Sequence, residues 1–173
     1  MTLRPQLAAD RLEASGAALA ALARSAGPEL ARWRPGEGRW ALVEVVAHLA
    51  DEERFDFRAR FDLLVGKHHG EPFAPIDPAG WVAARRYIEL ELDVALEDFL
   101  AERRHSLAWL RGLGHPDLSA ARPAPAGGEL SAGDVLASWV AHDLLHLRQM
   151  ARILHARAAA DAVPHGVGYA GSW

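Results

Sequence analysis

Two histidines spaced four residues apart are the side chains of this protein best placed to do chemistry. His142 and His146 lie in the largely apolar run 138–149. On an α-helix this spacing puts both side chains on one face, one turn apart, so the two imidazoles can bind one divalent cation. A third histidine, His48, lies in another segment with helical periodicity. Three histidines and an open coordination position would form a reactive metal centre.

The helix predicted around this pair carries the two histidines on its apolar side. At ~100° per residue, His142, His146 and Gln149 align with Val135 and Ile153. Buried imidazoles need partners, because an unpaired buried polar group costs about 1–3 kcal/mol. The alternative is a pair of core histidines bound to backbone or carboxylate groups, and the spacing of four favours a metal over that alternative.

His48 is surrounded by acidic residues on its own predicted helix. Glu44 and Glu52 lie one turn on either side of it. The periodicity supports equally a ligand histidine and a partly exposed histidine within an acidic cluster. Glu52 or Asp51 would be placed to move protons near a metal, and a structural salt bridge is an equally good interpretation of each.

Asp143 lies inside the histidine pair and has three interpretations. It could orient a ligand histidine, pair with an arginine, or act as a base, and we favour support of the ligands. The pattern His-Asp-x-x-His is one carbon shorter than the His-Glu-x-x-His motif of zinc proteases. A protease is disfavoured because aspartate is shorter than glutamate and Asp161 is the sole acidic candidate for a third ligand downstream.

A di-iron carboxylate site is a further alternative. It requires two Glu-x-x-His motifs and two more glutamates, and the chain has one match, from Glu102 to His105. Because these residues lie among charged neighbours, we predict a solvated helix face there. The remaining histidines are predicted to lie in loops or on polar faces: His68, His69, His115, His155 and His165.

The composition is that of an ordinary globular domain. Half of the 173 residues are apolar, about a quarter (24%) are charged, and the net charge is −4. This predicts one domain over residues 1–173, with no basic surface for nucleic acid and no apolar run that could cross a membrane. The N-terminus lacks a signal-peptide pattern, so we expect a cytoplasmic protein. Without cysteine, any metal must be held by histidine and carboxylate.

Four long helices are predicted, because the chain is rich in good helix formers and poor in alternating β-branched runs. They cover about 5–25, 40–65, 87–113 and 132–160, and a short helical turn is predicted around 78–84. Ser131 and Asp134 form a capping box at the start of the fourth helix. The connections are long and rich in proline and glycine, so they leave the order of the helices open.

Two segments resemble the metal-binding helical bundles of the DinB/YfiT-like superfamily. Residues 38–51 are similar to the family's Trp-Ser-x-x-Glu-x-x-x-His-Leu helix start, and residues 142–149 to its closing His-x-x-x-His-x-x-Gln. Ala41 replaces the usual serine, which removes an expected side-chain cap worth about 1 kcal/mol. Asp143 stands where the family often has glutamate.

The resemblance implies an all-α fold, a four-helix bundle with long crossover connections. It also implies that His48, His142 and His146 are ligands of zinc or nickel. Members of the family are often homodimers, so a homodimer is a possible assembly for this chain. Better-understood members of the family include transferases and isomerases that depend on bacterial low-molecular-weight thiols.

The leading hypothesis is a metal-dependent enzyme that acts on a small-molecule substrate, either a thiol-dependent S-transferase or a hydrolase. A metal with three neutral ligands and a vacant position activates water, and it deprotonates a thiol cosubstrate still more readily. Glu52 and Asp143 are the candidate catalytic residues. The alternatives are a non-catalytic metal-binding or stress-related protein and a helical dimerisation module whose histidines bind nothing.

Overall fold

Helices account for most of the protein. The computed structural model describes residues 3–66, 71–125 and 127–171. Its α-helices are α1 (Pro5–Arg24), α2 (Pro28–Arg32), α3 (Leu42–Asp51), α4 (Arg58–Val65), α5 (Pro78–Ala84), α6 (Leu92–Gly112) and α7 (Ala132–Asp161). The smaller elements are a π-helical turn (Glu52–Phe57), 3-10 turns (Tyr87–Glu89 and Gly168–Ala170) and an antiparallel hairpin of β1 (Ala121–Pro123) and β2 (Glu129–Ser131).

Four long rods form a four-helix bundle. They are α1, the continuous rod made by α3, the π-helical turn and α4, and then α6 and α7. Helix α1 packs against α6 and α7, and the α3–α4 rod packs against the same two helices. Rods joined by the connections 25–41 and 113–131 therefore lie diagonally across the bundle. This confirms the predicted bundle with long crossover connections.

Two apolar clusters fill the bundle, and buried polar side chains separate them. Each rod contributes to both clusters. In α6, for example, Arg103 lies between Phe99 of one cluster and Leu107 of the other. We call the buried polar group at this level the polar layer: Ser15, His48, Glu52, Glu53, Arg103, Asp143 and His146.

The order of the two clusters along each rod gives the direction of the rods. Helices α1 and α7 pass through the clusters in one order, and the α3–α4 rod and α6 pass through them in the reverse order. The chain therefore leaves α4 at one end of the bundle and must return to the other end before α6 begins. The connection 66–91, which contains α5, covers that distance.

Several predicted boundaries agree with the structure, and others do not. The short helix α5 and the start of α7 lie where the sequence predicted them, and Ser131 and Asp134 do form the capping box. The third long helix begins at Leu92, because Tyr87 belongs to a separate 3-10 turn. Helix α2, the hairpin and the π-helical turn were not predicted.

The start of α3 is capped although Ala41 has no side-chain acceptor. The backbone N–H of Ala41 donates to Glu44 Oε2 at 2.7 Å. Arg34 holds the same carboxylate through two hydrogen bonds of 3.0 and 2.5 Å. Glu44 therefore supplies the half of a capping box that does not need serine, and it keeps the first turn of α3 in place below His48.

Arg103 joins all four rods at the polar layer. Its guanidinium donates to both oxygens of Asp143 at 2.6 and 2.8 Å, to Glu53 Oε1 at 2.9 Å and to the carbonyl of Leu12 at 2.7 Å. Trp139 Nε1 also donates to Glu53 Oε1, at 2.7 Å. The solvated face predicted for residues 102–105 is thus wrong for Arg103, whose exposed fraction is 3%.

Substitution of Arg103 by alanine should destabilise the fold by about 3–5 kcal/mol, because it leaves two buried carboxylates without a cation. Arg104, the next residue along α6, is exposed, and its replacement by alanine should change the free energy of unfolding by less than about 0.5 kcal/mol. Urea unfolding of both metal-free variants measures the difference. Equal stabilities would contradict a structural role for the Arg103 network.

Candidate metal centre

The structure brings the three predicted ligand histidines together. His48 from α3 and His142 and His146 from α7 each offer a ring nitrogen, and these atoms lie within 4.8 Å of one another. The ring centroid of His48 is 5.4 Å from that of His142 and 4.8 Å from that of His146. His48 and His146 are buried and His142 is partly buried. We call this group the histidine cluster.

Gln149 fixes the protonation of one histidine. His146 Nδ1 lies 2.8 Å from Gln149 Oε1. An amide oxygen only accepts, so Nδ1 carries the proton and Nε2 of the neutral ring has a free lone pair. That Nε2 lies 3.0 Å from His142 Nε2, which is close to the roughly 3.3 Å separation of two nitrogens bound to one zinc ion. The pair therefore fits a shared cation.

His48 is the least satisfied member of the histidine cluster. Its Nδ1 is buried and has no hydrogen-bond partner, and neither does Oε1 of Glu52, 3.9 Å away. Buried polar atoms are normally paired. A metal ligated by the other ring nitrogen would polarise the Nδ1–H and draw it towards this carboxylate, as in the carboxylate–histidine pairs of many metal sites. The orphaned atoms thus agree with a metal-binding role.

The environment keeps the three imidazoles neutral. Burial, reinforced by the neighbouring His146 and His142, lowers the pKa of His48 to about 2. Burial, reinforced by His146, likewise lowers the pKa of His142 to about 3. Burial also lowers the pKa of His146, although Gln149 opposes it. Neutral rings are the form that ligates a metal.

Glu52 and Asp143 have different surroundings. Burial, reinforced by Asp56, raises the pKa of Glu52 to about 8, so this side chain retains a proton near neutral pH. Asp143 binds Arg103 with both oxygens and also accepts a hydrogen bond from Ser15. Of the three interpretations of Asp143, pairing with an arginine is the one that the structure displays.

Sequence reasoning missed the polar groups that support the site. Trp139 and Arg103 both donate hydrogen bonds to Glu53 within the polar layer. The signal was weak, because an arginine among charged neighbours looks like a solvated one and the π-helical turn has no sequence signature. His105 and His115 are exposed, as predicted. His68 and His69 lie outside the described residues.

Aromatic rings border the histidine cluster. The ring of Trp40 meets His48 edge-on at a centroid distance of 5.0 Å, and Phe57 lies 5.0 Å from His142. Phe57 in turn stacks on Trp139 at 5.7 Å. These contacts restrict the rotation of the imidazoles. They also give the cluster an apolar border, which strengthens electrostatic interactions within it.

Comparison with protein families decides the relationship of this chain. The model of the DinB superfamily matches residues 11–150, a span that includes all three clustered histidines. The chain belongs to the DinB superfamily. The resemblance inferred from the two histidine-bearing segments is thereby confirmed. Comparison with curated proteins gave no match.

A solved structure has the same fold as this DinB-superfamily chain. YfiT from Bacillus subtilis, a probable metal-dependent hydrolase with an unusual four-helix bundle topology, aligns with a TM-score of 0.76 and 18% sequence identity. The alignment covers 89% of this chain and 87% of that protein. None of the helices in the described part of the chain is both long and apolar enough to cross a membrane.

The metal-free protein should lose stability as the pH falls from 7 to 5. The unfolded chain binds protons at its histidines below about 6.5, whereas folded His48 and His142 stay neutral down to about 3. The unfolded state then binds more protons, and each histidine lowers the free energy of unfolding by about 1.4 kcal/mol per pH unit. Urea unfolding across this range measures the slope.

Glu52 provides an internal control for that slope. Its pKa is raised to about 8 from 4.5, so between these values the folded state holds the extra proton and the glutamate opposes the histidines. A Glu52→Gln variant should therefore lose stability more steeply than the unsubstituted protein as the pH falls from 7 to 5. A flat profile in both proteins would contradict neutral, buried histidines.

Proposed function

We propose that this DinB-superfamily protein is a metal-dependent enzyme whose divalent metal is held by His48, His142 and His146. One observation carries the proposal: three neutral ring nitrogens from two rods lie within 4.8 Å of one another. Such a set suits zinc or nickel and leaves a coordination position for a further ligand. The bound metal would activate water or a thiol at that position.

The protein side chains then have distinct roles. Gln149 holds His146 in the tautomer that presents Nε2, and Glu52, whose Oε1 lies 3.9 Å from His48 Nδ1, would accept the Nδ1–H once a metal is bound. Glu52 also keeps a proton beside the centre near neutral pH, as a proton-transfer residue requires. Asp143 has a positioning role, because both of its oxygens bind Arg103 and link α7 to α6 across the middle of the bundle.

Hydrolysis and thiol-dependent transfer are the two reactions that this centre supports. The absence of cysteine from the chain means that an incoming thiol would meet no competing thiolate of the protein. YfiT, which has the same fold, is a probable metal-dependent hydrolase, so hydrolysis is the reaction to test first. In the non-catalytic alternative the same ligands bind the metal, but the metal stabilises the bundle and supports no turnover.

Replacement of His146 by alanine should abolish binding of the metal, because two ligands do not hold a divalent cation against dialysis. Replacement of His105, an exposed histidine on α6, should leave one metal ion per chain. Elemental analysis of protein prepared without a polyhistidine tag, after loading and dialysis, gives the stoichiometry. Equal metal content in the two variants would rule out the proposed ligand set.

Activity assays distinguish the enzyme from the non-catalytic alternative. Metal-loaded protein is assayed for hydrolysis of activated esters and amides, and for transfer of low-molecular-weight thiols to electrophiles. His146→Ala should lower turnover by about two orders of magnitude or more, because the loss of metal activation is worth several kcal/mol, while circular dichroism shows an intact fold. A metal that raises the melting temperature without supporting turnover in either assay would instead support the non-catalytic alternative.

A further inference from the structure

A cleft of about 590 Å³ lies beside the histidine cluster. Two of its lining residues touch the cluster directly. The ring of Trp40 meets that of His48 at 5.0 Å, and Gln149 binds His146 Nδ1 at 2.8 Å. A molecule in the cleft can therefore have one end close to the proposed metal. The volume is within the range of small-molecule sites, about 300–1,000 Å³.

Three arginines line this cleft: Arg39, which precedes Trp40, and Arg148 and Arg152 on α7. In the described part of the chain, none of the three forms an ion pair or a side-chain hydrogen bond. Further along the same helix, Arg157 does bind an acidic residue, Asp161, at 2.9 Å. The cleft therefore concentrates positive charge that the protein does not neutralise, in a molecule of net charge −4.

The spacing of two of these arginines is electrostatically unfavourable. Arg148 and Arg152 are four residues apart on α7, and like charges at this spacing repel each other. An anion placed between them removes the repulsion and gains charge-assisted hydrogen bonds from the planar guanidinium groups. Guanidinium forks match the geometry of a carboxylate, which they bind with two parallel hydrogen bonds.

Apolar side chains line the rest of the cleft. Trp40, Leu145, Ile153 and Ala156 contribute to it, and Leu145 is 53% exposed. An aliphatic or aromatic body would cover this surface while an anionic group faces the arginines. The lining thus matches an amphipathic organic anion better than a neutral sugar or a cation.

We propose that the cleft binds a small organic carboxylate, with the anionic group at Arg148 and Arg152, the apolar body on Trp40 and Leu145, and the reacting group at the histidine cluster. This inference rests on the proposed function for the last of these placements. The carboxylate can belong to a substrate of hydrolysis or to an incoming thiol, and the arginines recognise the same chemistry in both.

Binding to the metal-free protein tests the arginines independently of the metal. By isothermal titration, 3-phenylpropanoate should bind about tenfold more tightly than its neutral amide, 3-phenylpropanamide, because a charge-assisted hydrogen bond is worth about 1.5 kcal/mol or more. Arg148→Gln/Arg152→Gln should remove this preference. Arg104→Gln, at an exposed position of α6 that does not line the cleft, should retain it. Because both arginines are exposed and repel each other, the double variant should keep or slightly raise the melting temperature of the unsubstituted protein.

A second experiment distinguishes a carboxylate on an incoming thiol from a carboxylate on a substrate of hydrolysis. The visible spectrum of cobalt-loaded protein reports thiolate coordination, and 3-mercaptopropanoate is compared with the neutral 3-mercaptopropanol. An incoming carboxylate thiol predicts about tenfold tighter binding of the acid, again removed by the double variant. Equal binding of the two thiols, with the preference for phenylpropanoate intact, would assign the cleft to a carboxylate substrate of hydrolysis.

The two proposals fail in distinguishable ways. If cobalt does not bind, the proposed function is wrong, whereas the metal-free titration still tests the cleft. If the metal-free protein binds acid and amide equally, or if the double variant keeps the preference, the carboxylate assignment is overturned even when the metal centre is correct. Loss of the preference at high ionic strength would support it, because salt screens these exposed charges.

Discussion

A guanidinium buried between two carboxylates holds the bundle together at its middle. Arg103 from α6 reaches Asp143 on α7, Glu53 in the π-helical turn and the backbone of α1 at Leu12. Burial lowers the pKa of Arg103, but its acidic partners outweigh this effect and keep the pKa above its ordinary value. The charge is therefore permanent, and any displacement of a rod would leave a buried charge unpaired, which costs several kcal/mol. This cost prevents the rods from sliding along their axes relative to one another.

The histidine cluster depends on that alignment. Asp143 precedes His146 by three residues and follows His142 directly. The hydrogen bonds between Arg103 and Asp143 therefore also fix the position of both histidines within the bundle. Glu53 follows Glu52 directly in the π-helical turn, and both side chains are buried, Glu53 against Arg103 and Glu52 near His48. Single π-helical turns often occur at functional sites, and here the turn contains two of the acidic side chains of the polar layer.

The electrostatics of the polar layer suit a cation. One guanidinium faces two carboxylates, Glu53 and Asp143, so the layer below the histidines has an excess of acidic groups. The histidines themselves carry no charge near neutral pH, because burial lowers their pKa values. A divalent cation at the histidine cluster would bind neutral imidazoles and would also be attracted by the acidic groups of the polar layer. The arginines line the cleft, where they would attract an anionic ligand. In this arrangement the histidines would hold the metal and the arginines of the cleft would bind the ligand.

The sequence by itself determined the helices and the candidate ligands, because both depend on local spacing. The apolar periodicity placed the four rods to within a few residues, and the spacing of four put His142 and His146 on one face of α7 regardless of tertiary context. Only the tertiary structure decided that His48 joins them, since its own periodicity supported an exposed position equally well. Only the tertiary structure buried Arg103, because the partners that compensate its charge come from three other segments of the chain and no local pattern encodes their meeting.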